Sequence, residues 1–146
     1  MFGGIDHLGI AVYDVDSHRS FLEGVMGLRF LERREYSRGG VQFRLDFYRG
    51  GETDLELVEV SDPESPIQKF LRERGEGPHH IAIRVEDIRE AQARLEARGV
   101  RFAGPIRYGS RHALICFTQP ETTNGLLIEL VQPLEEDEKP PEWAEG

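Results

Sequence analysis

The sequence repeats itself at half its length, and this repeat restricts the folds that the chain can adopt. Residues 5–15 align with residues 78–88 at an offset of 73 positions. Residues that can bind metals recur in the same register, namely His7 and Glu56 in the first half and His80 and Glu129 in the second. A fixed sequence period indicates one structural unit that is used more than once. We therefore expect two copies of one supersecondary unit, each with one histidine and one glutamate.

Both halves predict the same order of elements. Alternating, β-branched residues indicate strands at 5–12 and 79–85. A helix follows each strand, because Asp14 and Asp87 provide the residue type that begins helices. Three apolar-rich segments then follow each helix, at about 28–36, 40–48 and 53–60 in the first half and at about 101–108, 112–118 and 125–132 in the second. The predicted order is β-α-β-β-β, twice.

These elements predict an α+β fold, in which two tandem β-α-β-β-β modules form a curved mixed sheet, or cup, around a metal site. A chain of 146 residues is long enough to bury one core without disulfides. We expect a single domain with four parts. They are module one at about 4–62, a linker helix at about 65–75, module two at about 77–133 and an acidic tail at 134–146.

Charge and composition narrow the classes of function. The net charge is −9 and there is no basic stripe, so we expect no nucleic-acid partner. No apolar run approaches the roughly 18 residues of a membrane helix, and the N-terminus has no basic or apolar signal, so we expect a cytoplasmic protein without a membrane partner. The single cysteine, Cys116, excludes an internal disulfide and a cysteine-built zinc site, and we interpret it as a buried apolar residue.

The repeated glutamates lie between apolar residues. Glu56 stands between two leucines, and Glu129 stands between an isoleucine and a leucine. Because side chains alternate between the two faces of a strand, each glutamate points away from its apolar neighbours. His7 and His80 alternate in the same way and have small residues on their own face. If the two halves of the sheet curve into one cup, these four side chains converge on its floor.

Two imidazoles and two carboxylates form a borderline nitrogen and oxygen site for a divalent metal, with Co²⁺, Mn²⁺, Ni²⁺, Zn²⁺ and Fe²⁺ as candidates. Four protein ligands leave positions open for water or substrate on a six-coordinate ion. The alternative is that these residues are half-buried strand residues that pair only with each other. We prefer the metal site, because burying charges without a partner or a metal is expensive.

The remaining histidines are interpreted as structural. His79 is adjacent to His80 and so faces the other way in a regular strand. We expect His18, in the first helix, to face solvent. His112 lies in a loop-to-strand turn near the proposed cup, where a loop histidine without a role in the site is the simpler interpretation.

Over about residues 4–133 the chain resembles the vicinal oxygen chelate superfamily, which includes glyoxalases, bleomycin resistance proteins and dioxygenases. Within it, the chain is most similar to the methylmalonyl-CoA epimerases. The segments that carry this resemblance are IDHLGIAV at 5–12, SPIQKFL at 65–71, GEGPHHIA at 75–82 and GLLIEL at 125–130. The four metal-capable residues are shared by much of the superfamily, whereas the linker helix and the GEGPHH run are more typical of the epimerases.

The resemblance implies an isomerase that epimerises a 2-substituted acyl-CoA. It implies a divalent metal, with Co²⁺ favoured, held by His7, Glu56, His80 and Glu129, and a substrate thioester oxygen chelated to that metal. Such a Lewis acid stabilises the enolate that forms when the α-proton leaves. Glu129 matches one of the two acid/base residues that epimerisation requires. A homodimer is expected as well, because exposed sheet edges must be covered.

Two positions depart from the epimerase pattern. The second acid/base is a carboxylate on the strand that matches Val41 to Leu45, and here that position is Phe43. Asp46 is the nearest acid, but its register does not match. Where epimerases often carry His-Pro-Lys-Ser before the last strand, this chain has Gln-Pro-Glu-Thr at 119–122. The first departure puts a two-base mechanism in question, and the second removes a cation that would suit an anionic acyl-CoA.

Three other functions compete with the epimerase. A glyoxalase I-like isomerase of the lactoylglutathione lyase type, acting on a thiol–aldehyde adduct, fits Glu56 well but fits the linker helix less well. A ring-cleaving Fe²⁺ dioxygenase would use two histidines and one glutamate, so the additional carboxylate at Glu56 counts against it. A metal-free ligand-binding protein of the antibiotic-resistance type often lacks the four residues that this chain retains.

Overall fold

The computed structural model describes residues 2–144, and these residues form eight strands and three α-helices. The strands are β1 Phe2–Ala11, β2 Arg29–Arg38, β3 Val41–Gly50, β4 Thr53–Val60, β5 Gly77–Val85, β6 Phe102–Tyr108, β7 Ala113–Thr118 and β8 Ile128–Pro133. The helices are α1 Val15–Arg19, α2 Pro66–Arg74 and α3 Ile88–Glu96, with a π-helical segment at Ser20–Val25 and a 3₁₀ turn at Pro120–Thr122. The α+β class and the repeated β-α-β-β-β order are confirmed.

The chain divides into two compact units. The N-terminal unit is His7–His79, and the C-terminal unit contains residues 80–144 together with residues 2–6. In the N-terminal unit the strand order is β2-β3-β4-β1, with β1 parallel to β4 and the other pairs antiparallel. In the C-terminal unit the order β5-β8-β7-β6 has the same pattern, with β5 parallel to β8. The mixed character of the sheet is therefore confirmed.

Local sequence explains where the helices begin. The Asp14 side chain accepts a hydrogen bond from the backbone N–H of Asp16, and Asp87 accepts from Arg89 and Glu90. At α2, Ser65 caps the helix and proline occupies the first turn, where its missing N–H costs nothing. These side-chain caps satisfy backbone donors that have no partner inside the helix.

Two element boundaries differ from the sequence prediction. The first helix changes to a π-helical segment after Arg19, and the Met26 N–H donates to the Phe21 carbonyl five residues earlier. The last strand begins at Ile128 instead of residue 125, because Asn124 and Gly125 take positive φ angles of 56° and 85° and so form a turn. Both differences arise from backbone geometry that apolar periodicity does not encode.

Each unit packs apolar residues on both faces of its strands. In the N-terminal unit, Leu45 and Phe47 of β3 join the cluster that packs with α2, whereas Tyr48 joins the cluster beside α1. In the C-terminal unit, Leu130 packs with α3, and Val131 lies in a smaller cluster on the other face. The helices that follow β1 and β5 each cover one face of the strands in their own unit.

The last described residues contact the C-terminal unit. Leu134 is buried in the cluster beside α3, and Ala144 packs against that cluster. The Arg89 guanidinium lies 5.0 Å from the centre of the Trp143 ring. Among the described residues no helix is long or apolar enough to cross a bilayer. The proposed division into modules, linker helix and acidic tail stays a prediction.

Candidate metal centre

In the N-terminal unit, parallel pairing of β1 and β4 brings His7 and Glu56 together. The β4 residue Glu56 is the register partner of Gly9, and His7 lies two residues earlier on the same face. The exposed fractions are 5% for His7 and 8% for Glu56. The His7 Nε2 atom lies 3.6 Å from the Glu56 Oε2 atom. Two buried donor atoms of the types that transition metals bind are therefore adjacent.

The C-terminal unit repeats this arrangement. Glu129 of β8 is the register partner of Ala82 in β5, and His80 again lies two residues earlier on the same face. His80 and Glu129 are each 5% exposed, and the His80 Nε2 atom lies 3.2 Å from the Glu129 Oε2 atom. Each unit thus brings its own histidine and glutamate into contact, and the binding of one metal by all four residues stays a prediction.

A phenylalanine lies opposite each glutamate on the other neighbouring strand. Phe47 of β3 is the register partner of Glu56, and Phe117 of β7 is the register partner of Glu129. The Phe117 ring also meets the His80 ring edge to face, with centroids 5.5 Å apart. Each carboxylate therefore has a small residue on one neighbouring strand and an aromatic residue on the other.

The two pairs fit a divalent metal. Ligand bonds of about 2.1 Å place neighbouring donor atoms about 3.0 to 3.4 Å apart around an octahedral or tetrahedral ion. The measured separations of 3.6 Å and 3.2 Å are close to that range. Imidazole nitrogen and carboxylate oxygen suit Zn²⁺, Fe²⁺, Mn²⁺, Ni²⁺ and Co²⁺. Both the spacing and the chemistry of the donors therefore agree with metal ligation in each unit.

Comparison with known proteins identifies the family. The sequence model of the Glyoxalase/Bleomycin resistance protein/Dioxygenase superfamily matches residues 6–117. The chain belongs to this superfamily.

The relatives of this chain include epimerases. The chain is 36% identical over 130 residues to the uncharacterized protein YqjC of Bacillus subtilis (strain 168), covering 88% of this chain and 91% of that protein. It is 30% identical over 132 residues to the mitochondrial methylmalonyl-CoA epimerase of Homo sapiens, covering 89% and 74%. A structure of a methylmalonyl-CoA epimerase in complex with methylmalonyl-CoA and NH4+ matches with a TM-score of 0.81 and 31% identity, covering 96% and 100%. The resemblance to the superfamily and its epimerases is confirmed.

The chain has a phenylalanine, Phe43, at the position where the sequence resemblance implied a second carboxylate. Phe43 shares a face with Glu56, because antiparallel pairing joins Phe43 to Val60, four residues beyond Glu56 on β4. The Phe43 ring stacks on Tyr36 with centroids 4.7 Å apart. Asp46 is paired with Leu57 and so lies on the opposite face. Phe43 therefore provides an apolar surface where a base was expected.

Asp46 has a structural role. It is completely buried, and its two oxygens accept hydrogen bonds of 2.6 and 2.9 Å from Arg33. Arg33 also pairs with Asp16 at 2.7 Å, and Arg44 joins Asp16 to Glu59. The hydrogen bond to Asp46 is the main reason that the pKa of Arg33 rises above its ordinary value. This network links β2 and β3 to α1 and engages both oxygens of Asp46.

The other histidines have different surroundings. His79 meets the Phe70 ring edge to face at 5.1 Å, in keeping with its structural interpretation. The His112 ring lies between the Tyr108 hydroxyl and the Glu135 carbonyl, each 2.8 Å away. His18 is partly exposed, and its Nε2 atom also lies 2.6 Å from Glu76, a contact that the sequence analysis did not predict. Its partner is 58 positions away, so no local pattern identified it.

Sequence reasoning did not single out Arg107. This residue lies in β6 between Ile106 and Tyr108, which both belong to the core beside α3. The alternation matches that of Glu129 between Ile128 and Leu130, and it indicates that Arg107 points to the same face as Glu129. The register between β6 and β7 shifts between Ala103 and Arg107, so the alternation of apolar and polar residues is hard to follow in the sequence of β6.

Proposed function

We propose that this protein is a metal-dependent epimerase of a 2-substituted acyl-CoA, similar to methylmalonyl-CoA epimerase. The observation that carries the proposal is the pair of buried histidine–glutamate contacts, one in each unit, built on the same strand register. Similarity to methylmalonyl-CoA epimerases over most of the chain supports the choice of substrate class. The homodimer and the cytoplasmic location expected from the sequence stay predictions.

In this proposal His7, Glu56, His80 and Glu129 bind one divalent cation, and Co²⁺ is favoured by the family resemblance. When bound, such a cation acts as a Lewis acid toward a thioester carbonyl and stabilises negative charge on its oxygen. The side chains themselves orient the acyl group. The apolar residues beside Glu129, which include Val131 and Phe117, form the surface next to the acyl group.

Glu129 is the proposed base. Its carboxylate takes the proton from the α-carbon, and the electron pair of the broken C–H bond moves toward the thioester carbonyl, whose oxygen gains the charge. A water molecule on the opposite side of the planar carbon then donates a proton to it, which gives the epimer and leaves hydroxide that the proton on Glu129 neutralises. Phe43 and Asp46 do not donate that proton, because one is apolar and the other is bound to Arg33 on the opposite face.

Exchange of the α-proton tests this proposal. Methylmalonyl-CoA in D₂O with Co²⁺-loaded protein is expected to gain deuterium faster than with chelator-treated protein or with no protein. Glu129→Gln should slow the exchange by about 100-fold or more, whereas Glu86→Gln, an exposed change in the same unit, should leave it unchanged. Metal binding without exchange would reject the epimerase. Failure to bind metal would reject the whole site and favour simple histidine–glutamate pairing.

A second candidate is a glyoxalase I-like isomerase, and Phe43 is the observation that favours it. Conversion of a thiol–aldehyde adduct into a 2-hydroxy thioester moves a proton between adjacent carbons, and one base can both remove and return it. The stacked aromatic rings of Tyr36 and Phe43, which stand where a second base was expected, suit a transfer that needs only one base. Thioester formation from methylglyoxal and glutathione by the metal-loaded protein, without exchange of methylmalonyl-CoA, would select this candidate.

A further inference from the structure

We propose that Arg107 binds the carboxylate of a dicarboxylic acyl thioester and so selects a malonyl-type substrate over a neutral acyl group. The inference rests on the proposed function, since it assumes that the α-carbon lies beside Glu129. It adds a specificity-determining residue on β6, outside the histidine–glutamate pairs.

Strand register places Arg107 on the same face as Glu129. Arg107 is the partner of Ile115, and Ile115 is the partner of Val131, so the three residues form one row across β6, β7 and β8. Val131 lies two residues beyond Glu129 and therefore on its face. Partners in antiparallel strands project from the same face. Arg107 and Glu129 thus border the same small apolar cluster, which contains Ala82, Ile115 and Val131.

The distance along this face suits a small substrate. Neighbouring strands are about 4.8 Å apart and residues two positions apart on a strand are about 7 Å apart. These spacings put the Cα atoms of Arg107 and Glu129 about 12 Å apart. An arginine side chain and a short dicarboxylic acyl group can bridge that span together.

The Arg107 guanidinium has no partner among residues 2–144. The structure contains four other half-buried arginines, and each has an interaction with the protein; they are Arg19, Arg33, Arg44 and Arg111. Arg107 has neither a hydrogen bond nor an ion pair to any described residue, although the chain carries 27 acidic residues. A guanidinium that makes no ion pair within the described chain is available to bind an anion. A bound anion on this face would pair with it.

The position of the anion favours the acyl group over the phosphates of CoA. In a malonyl-type thioester the carboxylate is attached directly to the α-carbon, which must contact Glu129 for the proton to move. The CoA phosphates lie many bonds away along the pantetheine chain. Arginine also suits this role chemically, because its planar guanidinium donates two parallel hydrogen bonds to one carboxylate.

Binding measurements on the intact chain test the inference. Calorimetric titration with malonyl-CoA, propionyl-CoA and CoA should show wild-type protein binding malonyl-CoA about tenfold or more tightly than propionyl-CoA, since a charge-assisted bidentate pair contributes roughly that factor. Arg107→Ala should abolish this preference and leave propionyl-CoA binding unchanged. Arg107→Lys should retain part of it. Arg98→Ala, which removes an exposed arginine of the same unit, is the matched control and should behave as wild type.

Each other result has a defined meaning. Equal weakening of all three ligands by Arg107→Ala would assign the residue to a CoA phosphate and overturn the inference. A preference for malonyl-CoA that survives the substitution, in a variant with wild-type circular dichroism, would also overturn it. A third outcome is that the wild type prefers malonyl-CoA, loses this preference on Arg107→Ala and yet shows no metal-dependent exchange. That combination would support the inference and reject the epimerase. A wild-type protein that binds neither thioester would reject both.

Discussion

Glu56 and Glu129 each lie between two apolar residues of a strand, and each side chain contacts a histidine. Alternation along one strand was enough to predict which face each glutamate occupies, because the period of two is intrinsic to an extended backbone. The contact itself depends on parallel pairing with a strand 49 positions earlier in sequence. The internal repeat linked each histidine to a glutamate, because both halves carry the two residues in the same register.

Removal of one imidazole is the direct test at the residue scale. We expect His7→Ala and His80→Ala each to weaken Co²⁺ binding by about 100-fold or more, because losing a ligand should cost at least as much as losing its supporting hydrogen bond. Equilibrium dialysis with elemental quantification measures the change. His79→Ala, which removes the adjacent histidine that contacts Phe70, is the control and should keep wild-type affinity. Unchanged binding in both test variants would exclude these histidines as ligands.

Cys116 gives a prediction about reactivity. Burial, followed by the charge of Glu129, raises the pKa of this thiol to about 12. Because the thiolate is the reactive form, native protein should react with a disulfide reagent at pH 8 far more slowly than denatured protein. A colorimetric thiol assay should find one reactive group per chain in denaturant. Rapid reaction of the folded protein would show that this part of the C-terminal unit opens readily.

Residues whose surroundings depend on distant parts of the sequence or on irregular strand pairing were the least predictable. His18 was expected in solvent, and its contact with a glutamate that follows the linker helix was not predicted. Arg107 was overlooked because the irregularity in β6 interrupts the alternation that made Glu129 visible. In both cases the local sequence is compatible with several surroundings, and tertiary packing selects one of them.

Among the elements, helix starts and strands were predictable, and irregular backbone was not. Asp14, Ser65 and Asp87 each cap a helix through their own side chains, so the signal lies within a few residues. The π-helical segment at Ser20–Val25 depends on hydrogen bonds to carbonyls five residues away, and sequence propensity does not distinguish it from an ordinary helical turn.

The buried pair that joins β2 and β3 should be important for stability. Asp46→Asn leaves Arg33 without its main charged partner, and breaking a buried ion pair in this way costs about 3 kcal/mol or more. Urea unfolding monitored by circular dichroism measures the change in the free energy of unfolding. Glu32→Gln, which alters the more exposed pair with Arg34, should cost about 1 kcal/mol or less. A similar loss in both variants would show that burial does not strengthen the Asp46 contact.

The contact between α1 and the end of α2 should depend on pH. Burial opposes ionisation of Glu76, but hydrogen bonds from His18 and from the Tyr13 N–H outweigh it and lower the pKa of the carboxyl below its usual 4.5. The charged form therefore stabilises the folded chain above that value, and this contribution is lost as the pH falls through the folded pKa.

Comparison with Glu76→Gln makes this measurable. The variant should have a lower midpoint of thermal unfolding than wild type at pH 6, and the difference should shrink as the pH falls below 4.5. Glu73→Gln, an exposed change on α2, should follow wild type at every pH. A difference that persists unchanged at low pH would mean that the pKa of Glu76 is not lowered by folding.

At the scale of the whole molecule, metal binding should appear as stability. A ligand that binds only the folded chain adds about 2.7 kcal/mol when its free concentration is 100 times its dissociation constant. We expect Co²⁺ to raise the midpoint of thermal unfolding, and a chelator to reverse this. The double variant His7→Ala, His80→Ala should not respond. A metal effect of equal size in the double variant would indicate binding elsewhere on this acidic chain.

The alternation at Glu56 and Glu129 also limits how such a chain can diverge. Deletion of one codon inside β4 or β8 would turn the carboxylate toward the helix-covered side and bring a leucine into its place. Both the apolar core and the histidine–glutamate contact would then be lost, and no later substitution at a single position would restore both. Viable changes of length should therefore be confined to turns, such as the one at Gly39–Gly40 between β2 and β3.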